Sequence, residues 1–242
     1  MWRYNLRGIY YIALKDMRTY YLKPPSISWG IVFPIVWILA FYIRNPQGFE
    51  ELVPGLIVMT ILFSTTAAEA VVINFELQIG SLERLLLAPI SLPAVLLGKI
   101  LGGAIFGFIM TVIVTICSVI VFGLHPNIVY LILIIIPSLL VFSSLGALLC
   151  VLVKEVFEAQ TLLNLPRFLM IFLCGVVYPV SAMPTVLQYL AHVMPLTYTV
   201  DGLRHSFSVS SDMMVFRDTL ALLGFFILFI FPAIRLLYKK FE

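Results

Sequence analysis

Long apolar runs dominate the chain, and its polar residues gather in short clusters between them instead of alternating with apolar ones. Six runs have the length of a bilayer crossing: residues 27–43, 52–75, 100–122, 128–153, 165–179 and 215–237, the fifth being the shortest. A hydrocarbon core about 30 Å thick takes roughly 20 helical residues, whereas a barrel strand takes about ten with strict alternation. That alternation is absent, and no water in the core satisfies an irregular backbone, so the runs predict helices. The expectation is an all-α membrane protein: one domain, residues 1–242, with six transmembrane helices.

Composition agrees with the pattern. Apolar residues make up 62% of the 242 residues and charged ones 11%, with mean hydropathy +1.10, a balance that requires lipid as solvent. The distribution of cations then sets an orientation. Arg3, Arg7, Lys15, Arg18 and Lys23 precede the first run, Arg84 and Lys99 separate the second from the third, Lys154 follows the fourth, and Arg235, Lys239 and Lys240 close the chain. Only Arg44, Arg204 and Arg217 fall on the other side, with Arg167 near an inner end. The positive-inside bias therefore predicts both termini in the cytoplasm of a multi-pass protein of the cell membrane. The net charge of +3 follows from that topology and implies no nucleic-acid partner.

The opening stretch is too charged for a secretory leader. Leu6, Ile9, Tyr10, Ala13, Leu14, Met17 and Tyr21 recur at helical spacing on one side, and Arg7, Tyr11, Lys15 and Arg18 on the other. Residues 1–25 are thus expected to form an amphipathic interfacial helix, either a topology anchor or a basic face toward lipid phosphates or a partner. Pro24 and Pro25 end it.

Between the second and third runs, residues 76–99 form the polar interruption with the most internal pattern. A helix capped by Ser81 and running over residues 82–88 puts Leu82, Leu85 and Leu86 on one stripe and Glu83, Arg84 and Leu87 on the other, with Pro89 as its stop. An exposed leucine beside a carboxylate and a guanidinium suits a small docking knob. A helix lying on lipid headgroups has the same pattern.

Glu69 is the clearest ionisable group inside a run, about two turns from its inner end. An intramembrane acid is a candidate for substrate contact, gating or proton coupling. The other reading is a hydrogen-bonded brace to Thr65, Thr66 or Asn74. Gly98, Gly102, Gly103 and Gly107 open the third run with small-residue spacing that permits close helix approach, within the chain or across a dimer. Pro137 and Pro166 are expected bends. Cys117, Cys150 and Cys174 lie in apolar surroundings and read as small apolar residues. The histidines lack ligand spacing, so no metal site is expected.

Three stretches carry a resemblance. Gly-Ser-Leu-Glu-Arg-Leu-Leu-Leu-Ala-Pro-Ile-Ser from Gly80, followed by Leu-Leu-Gly-Lys ending at Lys99, resembles the first cytoplasmic loop of ABC-2 type exporter permeases. The stretches Gly-Val-Val-Tyr-Pro-Val-Ser-Ala-Met-Pro from Gly175 and Met-Pro-Leu-Thr-Tyr-Thr-Val-Asp-Gly-Leu-Arg from Met194 resemble the region before that family's last span. The resemblance implies a coupling helix seated in a groove of a separate ATPase, with Gly80, Glu83, Arg84, Leu87 and Pro89 as its contacts. It implies two such ATPase subunits carrying ATP and Mg, and a second permease chain, expected to be identical. It also implies that residues 181–212 form an external re-entrant helical pair, with Pro184, Pro195, Tyr198, Asp201 and Arg204 at an outer gate; Asp201 and Arg204, three apart, can pair on a helix.

The chain has no phosphate-binding loop, since Gly98-Lys99 runs directly into Ile100. It is therefore expected to be a non-enzymatic transport subunit with no cofactor of its own. The residues before Gly80 depart from the family pattern at Glu76 and Gln78, and Cys174 stands where a serine is frequent. An importer loop would need Glu-Ala-Ala where Asn74-Phe75-Glu76 stands, and does not match. The implied cargo is an amphipathic drug, antibiotic or lipid, with a lipid-linked saccharide as the alternative. A different class, an autonomous ion-coupled transporter, would show broken helices in two repeated halves.

Overall fold

In the computed structural model, which describes residues 2–44, 52–86, 88–153, 155–208 and 212–241, the apolar runs fold as helices and no strand occurs among the described residues. Among the described residues, five helices are long and apolar enough to cross a membrane: α4 (Val53–Gln78), α6 (Leu92–Phe122), α7 (Ile128–Leu152), α8 (Val156–Leu173) and α11 (Asp212–Phe241). The shorter ones are α1 (Trp2–Asp16), α2 (Pro24–Ile27), α3 (Phe33–Arg44), α5 (Ser81–Leu86), α9 (Thr185–His192) and α10 (Pro195–Phe207).

The first expected span is helical but not one α-helix. Between α2 and α3 the segment Ser28–Val32 widens into a π turn, with the Phe33 amide bonded to the Ser28 carbonyl. Gly30 sits in that turn, where a Cβ would meet the Ser64 side chain of α4 at 3.2 Å. A second π turn, Met17–Tyr21, follows α1 and carries the fully buried Tyr21 ring onto Phe106, centroids 5.5 Å apart.

Two boundaries differ from the sequence expectation. α6 begins eight residues before residue 100, because Pro93 at its first turn is compatible with a helix start. The fifth run forms a helix nine residues upstream of the expected start, over Val156–Leu173, and Pro166 lies within it. Gly175 (φ +83°) turns the chain just after Cys174, so residues 176–179 do not continue the helix. Apolar character alone missed this because Glu158, Gln160 and Asn164 belong to the helix.

α4 stands at the centre, packed by α6, α7 and α8, which is why it is apolar all round. Its hydroxyls satisfy themselves on the preceding turn: Thr60 Oγ1 to the Leu56 carbonyl at 2.9 Å, Ser64 Oγ to Thr60 at 2.6 Å, Thr65 Oγ1 to Ile61 at 2.8 Å. The glycines of α6 divide between two neighbours within the chain. A Cβ on Gly98 or Gly102 would press on Ile12 at 3.0 Å or Tyr21 at 3.2 Å, and one on Gly107 would meet Leu139 at 2.8 Å.

Candidate functional site

The two ends of the bundle are distinct. At one end α4 and α6 are joined by the α5 loop, and α7 and α11 finish there: Lys240 Nζ donates to the carbonyls of Val151 and Val153 at 3.1 and 2.7 Å, capping α7. At the other end α6 gives way to α7 and α10 closes against the turn between them, where the Asn127 amide bonds the Ser206 carbonyl at 2.8 Å.

At the first end, α4 stops at Gln78, and Gly80 adopts φ +66°, a conformation that favours glycine, to launch α5. Ser81 is the first residue of that helix and its hydroxyl donates back to the Glu76 carbonyl at 3.4 Å, so it is not the accepting cap expected from its position. The helix ends at Leu86, two residues early, and the chain tightens through Ala88 and Ile90, whose amides bond Leu85 and Ala88 at 3.2 and 2.7 Å. Leu82 is buried with Ile12 and Val95, and Leu85 and Ile90 pack beside them. Pro89 is exposed. The side chains of Glu83 and Arg84, and Leu87 altogether, lie outside the described residues.

α1 lies across this loop, rotated from the face expected. Gly8, Ile12, Ala13 and Asp16 are buried, whereas Leu6 and Tyr10, expected on the same apolar side as Ala13, are exposed. Gly8 decides the rotation: a Cβ there would be 2.8 Å from Ile90, so the bare backbone seats the loop. Asn5 Oδ1 accepts from the Ser91 amide at 3.1 Å. A groove of about 470 Å³ remains between helix and loop, rimmed by Tyr4, Arg7 and Tyr11 over Leu85, Pro89 and Ile90.

The base of the loop holds a charge cluster that sequence reading did not assemble. Lys99 Nζ, 1% exposed, donates to Glu76 Oε2 at 2.7 Å and lies 3.4 Å from Asp16 Oδ2. Lys15 closes the square, bonding Glu76 Oε1 and lying 3.0 Å from Asp16 Oδ1 in an ion-pair contact not aligned as a hydrogen bond. Burial pushes the Asp16 carboxyl above the ordinary carboxylate range even though Lys99 and Lys15 pull it down. Burial lowers Lys15, but Glu76 and Asp16 outweigh it and hold its ammonium above the ordinary value. A signal was present: Asp16 is the one acid before Glu50 and continues the Gly8 and Ile12 stripe at four-residue spacing.

Farther along the same seam, Glu69 is fully buried. Its Oε1 accepts from Ser143 of α7 at 2.7 Å, and Ser143 is itself close to the Ile100 carbonyl at 2.7 Å. The brace is thus to Ser143 and not to Thr65, Thr66 or Asn74. Thr66 is instead taken by Arg167, whose Nε donates to it at 2.7 Å while Nη1 bonds Asn164 at 3.0 Å and the guanidinium lies 5.4 Å over the Phe63 ring. Glu69 Oε2 and Arg167 Nη2 have no hydrogen-bond partner among the described residues. Arg167 had been placed only by its nearness to an inner end; a cation embedded in an apolar run was the missed signal.

At the far end, Pro184 precedes α9 and Pro195 opens α10. α10 is no wet loop: Leu196, Val200 and Leu203 belong to the main core, Thr199 meets Ser138 of α7 at 3.0 Å, and Gly202 fits against Ile134. Tyr198 donates to the His192 carbonyl at 2.9 Å, tying α10 to α9. Arg204 turns to the Gly175 carbonyl at 2.6 Å, and no ion pair joins it to Asp201 among the described residues. The Gly175 carbonyl at the left-handed turn after α8 lies within reach of the guanidinium, so the three-residue spacing was not enough to predict a pair. A cleft of about 480 Å³ opens beside Arg204, between Pro54, Leu124, Val176, Pro179 and Phe207.

Five membrane-length helices packed through glycine seams, with a braced loop at one end and a closing helix pair at the other, define a multi-pass helical membrane protein. Residues 7–208 match the family described as ABC-2 type transporter, and the chain belongs to that family. It is similar to the inner membrane transport permease YadH of Escherichia coli K12, 27% identical over 225 residues, covering 85% of this chain and 86% of that protein. The putative transport permease ycf38 of Cyanophora paradoxa is 29% identical over 250 residues, covering 90% and 83%. The probable multidrug ABC transporter permease YbhS of E. coli K12 is 26% identical over 179 residues, which span 72% of this chain and 48% of that one. Family membership makes the chain a membrane permease in an ABC transporter context, in which ATP hydrolysis is the task of an ATPase partner.

Proposed function

We propose that this chain is the membrane subunit of an ABC exporter, moving an amphipathic drug, antibiotic or lipid outward by alternating access. In this reading the helical stretch over residues 24–44 joins the five long helices as a sixth crossing. Both termini and the α5 loop are cytoplasmic, and two copies of the permease work with two ATPase subunits. The observation that carries it is the α5 loop, braced from inside by Leu82, Ile90 and Ser91 on α1 and α6 while Pro89 faces outward. A loop held so is suited to receive force, which a loop resting on headgroups is not. The clustering of Lys15, Lys99 and Lys240 at that end supports the orientation, and the multidrug name of one relative favours the cargo class.

Gly80, Glu83, Arg84, Leu87 and Pro89 form the ATPase contact in this proposal. ATP-driven approach of the two ATPases moves the loops and shifts the spans between inward- and outward-open states through differential affinity for the two. α9 and α10, with Pro184, Pro195, Tyr198, Asp201 and Arg204, seal the exit. Their core-facing leucines and the buried Thr199 favour a re-entrant pair over an exposed loop.

The test is co-reconstitution with the partner ATPase, reading partner binding, ATP turnover and ATP-dependent export. Combining Glu83→Ala with Leu87→Ala is expected to weaken both binding and stimulated turnover; both unchanged sinks the docking assignment. Export driven by an ion gradient without ATP or partner transfers the function to the ion-coupled class, with Glu69 as its first suspect. Competition between amphipathic drugs and lipid-linked saccharides in the same vesicles decides the cargo.

A further inference from the structure

We infer that Lys99 is a positioning residue of the coupling machinery: its buried ammonium locks α1 to the base of the α5 loop, so that displacement of the loop is passed to α1. This deepens the permease reading above and rests on it.

Three observations lead there. Lys99 lies two turns inside the rigid start of α6 and is 1% exposed, and a desolvated ammonium is tolerated only when well paired. Its partners sit on two other elements, Asp16 at the end of α1 and Glu76 at the end of α4. With Lys15 the cluster balances two cations against two carboxylates. Without Lys99, the buried Asp16 and Glu76 would face each other with one half-exposed cation between them, and like charges would push α1 off α4.

The second line of contact is at the loop's other end, where Asn5 holds the Ser91 amide and Gly8 seats Ile90. Asn5 and Asp16 are eleven residues apart on one helix, about 16 Å at helical rise. α1 therefore splints the loop along its length, and a helix serving only as a lipid anchor has no need of contacts at both ends. Leu6, Arg7 and Tyr10 of α1 and Arg18 of the π turn after it are exposed and stay available to the membrane surface.

The experiment uses the permease with its ATPase in proteoliposomes. Lys99→Met is expected to leave the ATPase bound and hydrolysing while the cargo exported per ATP falls about tenfold, a size typical of coupling energies. Lys99→Arg keeps a cation between Asp16 and Glu76 and is expected to retain most of the ratio, whereas a purely space-filling role would favour the methionine over the larger arginine. An unchanged ratio in Lys99→Met, or a ratio in Lys99→Arg as low as in Lys99→Met, overturns the inference. Should Lys99→Met fail to fold, Gly8→Cys with Ile90→Cys in a Cys117→Ser background ties α1 to the loop directly. Oxidation is expected to leave export intact, because the two already move together; loss of export on oxidation, restored by reductant, overturns the inference. ATPase binding and ATP dependence are read on the unsubstituted chain in the same vesicles, so failure of the permease reading appears there and failure of the Lys99 inference appears only in the variants.

Discussion

Two groups of buried charges along the α4 seam are built on opposite plans. At the end that carries the α5 loop, Lys15, Asp16, Glu76 and Lys99 pair with one another across three elements. Farther in, Glu69 and Arg167 do not pair: each is held by neutral neighbours, Ser143 for one and Thr66 with Asn164 for the other, and each keeps one atom without a hydrogen-bond partner among the described residues. The contrast separates a clamp from a pair of isolated polar points. A closed set of charges resists sliding because each displacement breaks several contacts at once. A carboxyl on one serine can exchange partners with little loss, which suits a region between helices that must change their packing.

The largest expected effect breaks the clamp. Lys99→Met strands two buried carboxylates and is expected to destabilise the detergent-solubilised protein by about 3–5 kcal/mol, read as a shift in thermal unfolding. A shift no larger than that of Glu69→Gln would abolish the distinction between the two groups.

Next comes crowding of the isolated carboxyl. A Cβ at Gly103 would overlap Glu69 Oε1 and come within 2.9 Å of Ser143 Oγ, so Gly103→Val is expected to cost about 1–3 kcal/mol by overpacking. Gly224→Val, at a position where an added Cβ meets nothing within 4 Å, serves as the control with a much smaller shift.

Glu69→Gln sharpens the comparison from the other side. The amide keeps an oxygen to accept from Ser143 and removes the ionisable group, so its effect on stability is expected to stay within about 1 kcal/mol. If export is lost while stability is kept, Glu69 acts in transport and not in packing.

The smallest effect is a pH slope. Burial raises the Asp16 carboxyl in the folded chain, so the folded state binds its proton more readily than the unfolded chain does. Its contribution to stability is full below the unfolded pKa and is lost as pH rises through the folded one. The melting difference between the natural chain and Asp16→Asn is therefore expected to move in favour of the natural chain as pH is lowered from 7 into the ordinary carboxylate range. A difference flat across that range removes Asp16 from the cluster's titration.

Much of the fold was legible because lipid imposes a coarse rule: long apolar stretches become helices wherever they occur, and α4, α7 and α11 sit close to their expected bounds. The rule failed where polarity enters a helix, at Glu158, Gln160 and Asn164 of α8, and where π turns widen residues 17–21 and 28–32. At the candidate site, a short helix between Gly80 and Pro89 was readable from the residue pattern, whereas Ser81 as an accepting cap and the Asp201 to Arg204 pair were not upheld. Each of those failures set a local spacing rule against a nearer acceptor supplied by the fold.

By itself, the sequence determined that this is a helical membrane protein, which end of each helix carries the cations, and that a short helix interrupts the second and third long runs. Those follow from solvent and local backbone preference, which act on every residue independently of its distant neighbours. Only the tertiary structure decided that Gly98 and Gly102 seat α1 while Gly103 and Gly107 seat α4 and α7. It alone turned α1 so that Asp16 faces inward, and brought together Asp16, Glu76 and Lys99 from positions 60 and 23 residues apart in the chain. A charge can stay buried only where its partner is waiting, and that partner is set by the packing of three helices.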